Sequence, residues 1–155
     1  MTFKSKRTIT SIITGLILAT AYCFYALSQN APAAEDISAW ATTILIFIGI
    51  AVAANITIMI FFHIAYSIGV TAKEHDNAER IIAAETAEDE MDKLVELKSS
   101  RAGYICAGIG IMAALVWLAF LDTSVVVALH LLLAGSFAGS MIEGIISIRL
   151  YERGV

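Results

Sequence analysis

The sequence predicts an all-α protein, a bundle of four transmembrane helices that run up-down-up-down through a membrane. Hydrophobic residues make up 59% of the 155-residue chain and charged residues only 15%, and the mean hydropathy is +0.80. A soluble domain of this length needs a larger polar surface than these residues can form. The apolar residues also lie in four stretches, each long enough as a helix to cross a hydrocarbon layer of about 30 Å. We therefore expect one membrane domain over residues 1–155.

The predicted spans cover, in chain order, residues of about 8–27, 37–70, 102–121 and 123–150. Buried β-strands are much shorter, and the strands of a membrane barrel alternate in polarity, which these stretches do not. The first span also resembles a cleavable signal peptide, since basic residues precede it and Ala31-Pro32-Ala33 follows it. Its apolar run is longer than the usual signal core of roughly 7–15 residues. We therefore expect an uncleaved first helix.

The direction of the spans follows from the basic residues. All ten Lys and Arg residues lie at the start of the chain, between the second and third spans, or at the end of the chain. The opposite ends of the spans carry only Glu35, Asp36 and Asp122 as charges. Because Lys and Arg accumulate on the cytoplasmic side of membrane proteins, we expect both termini and the loop of about 72–101 to be cytoplasmic.

This loop contains no Gly or Pro and is rich in helix-forming residues, so we expect it to be helical. Its acidic residues recur mostly at spacings of three or four and predict one charged helix face: Glu85, Glu88, Asp89, Asp92 and Glu96. Such a row is typical of a solvated helix face, here the face expected toward a cytoplasmic partner, and the alternative is a site for a divalent metal or a cationic partner. No His lies at a ligand spacing within the row, so we predict no metal site.

Four polar residues lie inside the predicted spans: Asn55 and His63 in the second, His130 and Glu143 in the fourth. A carboxylate at the centre of a bilayer costs about 3 kcal/mol or more, so such a group usually faces the bundle interior. Glu143 and His63 are expected at similar depth in the inner leaflet, and His130 in the outer half. Glu143 and His63 are interpreted either as a proton- or cation-coupled site or as an interhelical hydrogen bond. Asn55 is interpreted as a contact between helices.

Small residues in the last two spans predict close helix packing. Gly135 and Gly139 have the spacing that lets two helix backbones approach, and Gly144 lies further along the same span. Gly103 and Gly110 begin similar pairs with alanine in the third span. The connection at residues 121–123 permits only a tight turn, so we expect an antiparallel hairpin. A contact between two copies of the chain is left open.

No catalytic constellation is visible, because the chain has no Gly-x-Ser-x-Gly, phosphate loop, HExxH or CxxC motif. We expect no catalytic residues, no cofactor and no enzyme activity. The basic residues form no patch of the size that nucleic acid requires. Cys23 and Cys106 fall in opposite leaflets of the predicted bundle, so an intrachain disulfide is not expected.

One segment resembles a known family. It reads Asp89-Glu90-Met91-Asp92, then Leu94-Val95-Glu96-Leu97-Lys98, with Arg101 and Tyr104 at the start of the third span. Near the end of the chain the sequence reads Tyr151-Glu152-Arg153-Gly154. These residues resemble a family of small prokaryotic membrane proteins of unknown function. Its members carry an acidic DERD-like element, a Leu-Ile-Glu-x-Lys run, an Arg, a Tyr and a Tyr-Arg-Arg-Gly ending. Met91 and Glu152 depart from this pattern, because each stands where the family has arginine.

The resemblance implies a location in the prokaryotic inner membrane. Members are often encoded beside small helix-turn-helix regulators, which implies a regulatory or sensory association. The resemblance brings no catalytic residues. The first hypothesis for function is therefore a non-enzymatic membrane subunit whose cytoplasmic face contacts a regulator or a larger complex. The alternative is a small proton- or cation-coupled transporter that uses Glu143 and His63.

Overall fold

The computed structural model describes residues 3–73, 90–121 and 124–153, and these ranges contain four long helices. In chain order the helices are α1 (Phe3–Ala26), α2 (Ile37–Lys73), α3 (Glu90–Phe120) and α4 (Val125–Arg153). Each is long and apolar enough to cross a membrane. The all-helical prediction is confirmed for the described residues, and the chain has the character of a multi-pass membrane protein.

The surface of the bundle is apolar, and the few buried residues are mostly small. Phe24, Leu45, Phe61 and Phe120 are each more than 60% exposed in the isolated chain. Such side chains would be unfavourable in water, and a bilayer covers them at no cost. Helix association in lipid depends on close packing rather than on apolar burial, which explains why so few large side chains are buried.

α3 and α4 form the most extensive contact of the bundle, and glycines allow it. A Cβ atom placed on Gly110 would lie 2.5 Å from the Gly135 Cα atom, and one placed on Gly139 would lie 2.7 Å from the Gly103 carbonyl oxygen. The two backbones therefore touch directly, and the pairing of early α3 with late α4 makes these helices antiparallel. Gly144 does not take part in this hairpin, because its open face meets Ile12 of α1.

The remaining contacts arrange α1 and α2 around this hairpin. α1 packs against α4, where Gly15 lies close to Phe137 and Met141. α2 packs mainly on α1 and runs in the opposite direction, since Arg7 meets Met59 and Tyr22 meets Phe47. α2 packs less extensively on the other helices than α1, α3 or α4 does, which makes α2 the most peripheral helix.

Helix ends are set by local capping groups. The Asp36 carboxylate accepts a hydrogen bond from the Ala39 backbone N–H at 2.9 Å, and Ser124 Oγ accepts one from the Val126 N–H at 3.2 Å. Both residues act as N-caps that satisfy free donors of the first helical turn. The connection between α1 and α2 contains Pro32 and is tied to α2 by the Trp40 indole N–H, which donates to the Ala33 carbonyl at 3.1 Å.

The described part of the predicted loop belongs to α3. Residues 90–101 continue into the third span as one helix without a break. Residues 74–89 lie outside the described residues, so the predictions made for Glu85, Glu88 and Asp89 are not addressed by the structure.

Candidate functional site

Glu143 lies half-buried at the contact between α4 and α3. Its Oε1 atom accepts a hydrogen bond from the Ser100 hydroxyl at 2.8 Å. A Cβ atom on Gly103 would lie 3.1 Å from the Glu143 Cβ atom and 3.2 Å from Oε2. Ser100 and Gly103 are three residues apart and share one face of α3. The Ser100 hydroxyl therefore positions the carboxylate by a hydrogen bond. Gly103 has no side chain and leaves the space that the carboxylate occupies.

A polar cavity of about 710 Å³ lies beside this carboxylate and receives side chains from all four helices. Its lining contains an unusual share of polar residues for an apolar bundle: Arg7, Thr8, Ser11, Thr14, Asn55, Asp92, Lys93, Glu96, Ser99, Ser140, Glu143, Ser147 and Tyr151. Uncompensated polar groups are costly in an apolar environment, so their collection around one cavity marks it as the candidate site.

One end of the cavity is charged, and we call it the charged end, defined by Arg7, Asp92, Glu96 and Tyr151. Arg7 and Glu96 are exposed there, and the Tyr151 hydroxyl donates a hydrogen bond to the Asp92 carboxylate. Glu143 lies eight residues before Tyr151, which is about 12 Å along the helix axis. The cavity therefore connects a carboxylate within the bundle to the surface at the charged end.

The opposite end of the cavity is closed by apolar and aromatic side chains. Leu18, Ala51 and Phe137 line its deep end. Beyond them lies an aromatic cluster in which the Trp40 and His130 ring centroids are 4.7 Å apart and those of Tyr22 and Phe47 are 5.1 Å apart. Edge-on ring pairs of this kind are favourable packing arrangements, so large aromatic side chains fill the bundle beyond the deep end of the cavity.

Three hydroxyls of the cavity lining already use their hydrogens. Thr14 donates to the Thr10 carbonyl at 2.9 Å and Ser140 to the Ser136 carbonyl at 3.2 Å, within their own helices. Ser11 donates to Asn55 Oδ1 at 3.3 Å. A hydroxyl has one hydrogen and two lone pairs, so each of these groups offers a ligand in the cavity an acceptor. The lining therefore suits a cation or a proton donor.

The structure separates residues that the sequence analysis had grouped. His63 is exposed and lines a second, shallower groove, whereas Glu143 lines the polar cavity. His130 lies in the aromatic cluster, where its Nδ1 atom is 2.8 Å from the Val126 carbonyl oxygen. Asn55 makes a contact between α1 and α2 of the kind that the sequence predicts, through Ser11.

Two residues of the predicted partner face, Asp92 and Glu96, line the polar cavity. Val95, between them in sequence, is 1% exposed, and Ser99 is equally buried. This part of α3 therefore packs into the bundle rather than lying free in solvent. Among the described residues, no three His, Cys, Asp or Glu side chains come together in a group that could hold a metal ion.

Sequence reasoning missed Ser100, Arg7 and Tyr151 as members of the site. The one available signal was the run of small residues Ser99, Ser100 and Gly103, which continues the packing face of α3 into the segment assigned to the loop. No protein-family model, curated protein or solved structure matches this chain. The family resemblance of residues 89–104 therefore stays a prediction.

Proposed function

We propose that this chain is a non-enzymatic inner-membrane protein of a prokaryote that moves protons or small cations through the cavity lined by Glu143. The four helices would cross the membrane up-down-up-down, with the charged end in the cytoplasm. In this proposal Glu143 is the binding carboxylate, and His63 has no part in the site.

The polar cavity is the observation that supports this proposal most directly. It contains two basic residues, Arg7 and Lys93, and three acidic ones, Asp92, Glu96 and Glu143. With all five ionised the cavity is negative by one charge, which attracts cations from solution. Ion and proton pathways in membranes characteristically combine a buried carboxylate with hydroxyl and amide oxygens.

The placement of the charged end in the cytoplasm rests on the distribution of basic residues. The described Lys and Arg residues belong to the first turns of α1, the end of α2, the first turns of α3 and the end of α4. In antiparallel helices these positions share one side of the bundle. The positive-inside rule then assigns this side to the cytoplasm, and protons or cations would enter from there.

A flux assay tests the function. The wild-type protein, reconstituted in liposomes with an internal pH indicator, should show cation-driven proton movement that depends on pH. Glu143→Gln keeps the size of the side chain and can still accept the Ser100 hydrogen bond, but it cannot take up a proton or balance a cation. Its flux should fall to that of protein-free liposomes.

Glu152→Gln is the matched control. Glu152 is an exposed carboxylate on the same helix and does not line the cavity, so this variant should retain the wild-type flux. Absence of flux from folded wild-type protein, or equal flux in wild type and Glu143→Gln, would refute the transport proposal.

A regulatory or complex-associated role is the second candidate, and one observation favours it. Leu94 and Leu97 are 47% and 69% exposed on the first turns of α3, among charged residues. Exposed apolar side chains on a charged segment are typical of a surface that contacts another protein. Recovery of one stoichiometric partner from native membranes, together with no flux in liposomes, would place this function first.

A further inference from the structure

A second groove lies along α2 and is separate from the interior of the polar cavity. It has a volume of about 470 Å³. Ile56 and Ile60, one helical turn apart, form part of its apolar lining and are 58% and 54% exposed. Arg7 and His63 also line it. The groove is therefore mostly apolar and carries two basic side chains on the outer face of the α1–α2 pair.

The Arg7 side chain is fixed at this groove by a specific contact. Its Nε–H donates to the Met59 Sδ atom at 3.3 Å. A guanidinium carries five N–H donors, so this bond uses one and leaves a planar group able to bind a phosphate through two parallel hydrogen bonds. His63 lies one helical turn beyond Met59 on α2, which brings a second group able to carry positive charge near the same level.

We propose that this groove binds one anionic phospholipid, with its phosphate at Arg7 and His63 and an acyl chain along Ile56 and Ile60. Arg7 and His63 are the residues able to carry charge among the described residues that line the groove, so the groove should attract a headgroup of net negative charge more strongly than a zwitterionic one. A partner helix is less suited, because tight helix pairs in membranes use small residues where this groove has isoleucine.

The lipid would also affect the polar cavity. Arg7, Asn55 and Met59 line both spaces. A phosphate at Arg7 would restrain the side chain of this shared residue and neutralise one of the two basic residues of the cavity. The lipid site does not depend on the transport proposal, because its ligand chemistry differs and Glu143 does not line the groove.

Native mass spectrometry of protein taken from nanodiscs with equal phosphatidylglycerol and phosphatidylcholine tests the proposal. We expect one retained lipid per chain, with phosphatidylglycerol strongly preferred. Arg7→Gln should lower this retention by about tenfold or more, because each charge-assisted hydrogen bond that is lost is worth about that factor. Lys6→Gln is the matched control, because Lys6 is exposed, lines neither space and carries the same charge. Ile60→Trp should also lower retention by filling the groove without a change of charge.

Several outcomes would overturn the lipid site. Equal losses in Arg7→Gln and Lys6→Gln would indicate general attraction to a basic surface. Equal retention of the two lipids would show that the net negative charge of the headgroup does not contribute to binding. Competition by soluble glycerophosphoglycerol as strong as that by the intact lipid would indicate an anion site without the acyl chain. A retained second copy of the chain that is lost in Ile60→Trp would make the groove a protein interface. If Arg7→Gln does not fold, unchanged retention in Ile60→Trp would still refute the proposal.

Discussion

Gly110→Leu is expected to prevent formation of the α3–α4 hairpin and thereby to unfold the bundle. Even the first carbon of the new side chain would lie 2.5 Å from the Gly135 Cα atom. The obstructing atom is backbone, which cannot rotate away as a flexible side chain can. Overpacking costs about 1–3 kcal/mol even where side chains can adjust, so the loss here should reach about 3 kcal/mol or more. Unfolding by denaturing detergent, followed by tryptophan fluorescence, measures it.

Gly108→Leu is the control for this experiment. Gly108 lies on the same helix, and a Cβ atom placed there meets nothing within 4 Å. Leucine is a better helix former than glycine by roughly 1 kcal/mol, so this variant should be as stable as wild type or more so. Equal stability of the two variants would contradict the direct backbone contact between α3 and α4.

The second large effect is expected at Glu143. Glu143→Leu should destabilise the bundle by about 1–3 kcal/mol, because the Ser100 hydroxyl loses its acceptor. Glu143→Gln should stay close to wild type, since its amide oxygen can occupy the position of Oε1, which accepts the 2.8 Å hydrogen bond. The same detergent titration distinguishes the two variants.

A double variant separates this hydrogen bond from other effects of leucine. If the bond accounts for the loss, Glu143→Leu should cost much less stability in a Ser100→Ala background than in wild type, because no donor is then left unsatisfied. Additive losses in the double variant would show that Ser100 and Glu143 do not act as a pair.

Much of the fold could be predicted because the length of an apolar stretch and the spacing of small residues can be read from the local sequence. The predicted span of 37–70 corresponds to α2 at Ile37–Lys73, and that of 123–150 to α4 at Val125–Arg153. The spacing of Gly135 and Gly139 also indicated the face on which α4 meets α3. These signals need no knowledge of which helices are neighbours.

The site was harder to predict because it depends on how the helices are rotated and paired. The depth in the membrane that was expected from the sequence suggested that His63 and Glu143 could meet. In the structure α2 packs chiefly on α1, and His63 lines the groove along α2. The same limit applies to Asp92 and Glu96. Their spacing defines a helix face, yet only packing determines whether that face meets solvent or the interior of the bundle.

Transport through Glu143 requires that water reach the cavity from the charged end, and cysteine labelling measures this access. Cys23 and Cys106 would first be replaced with alanine. Ser140→Cys would then place a thiol on the cavity lining, deeper in the bundle than Glu143. Ile145→Cys is the matched control, because Ile145 is 47% exposed on the same helix, does not line the cavity and lies nearer the charged end. Only a thiol in water ionises and reacts readily.

The reagent is a small, permanently cationic thiosulfonate that does not cross membranes, applied to inside-out and right-side-out vesicles. We predict that Ser140→Cys is labelled in inside-out vesicles and protected in right-side-out ones, while Ile145→Cys is labelled in neither. No labelling of Ser140→Cys from either side, in protein that folds and inserts normally, would contradict a water-filled cavity open to the cytoplasm.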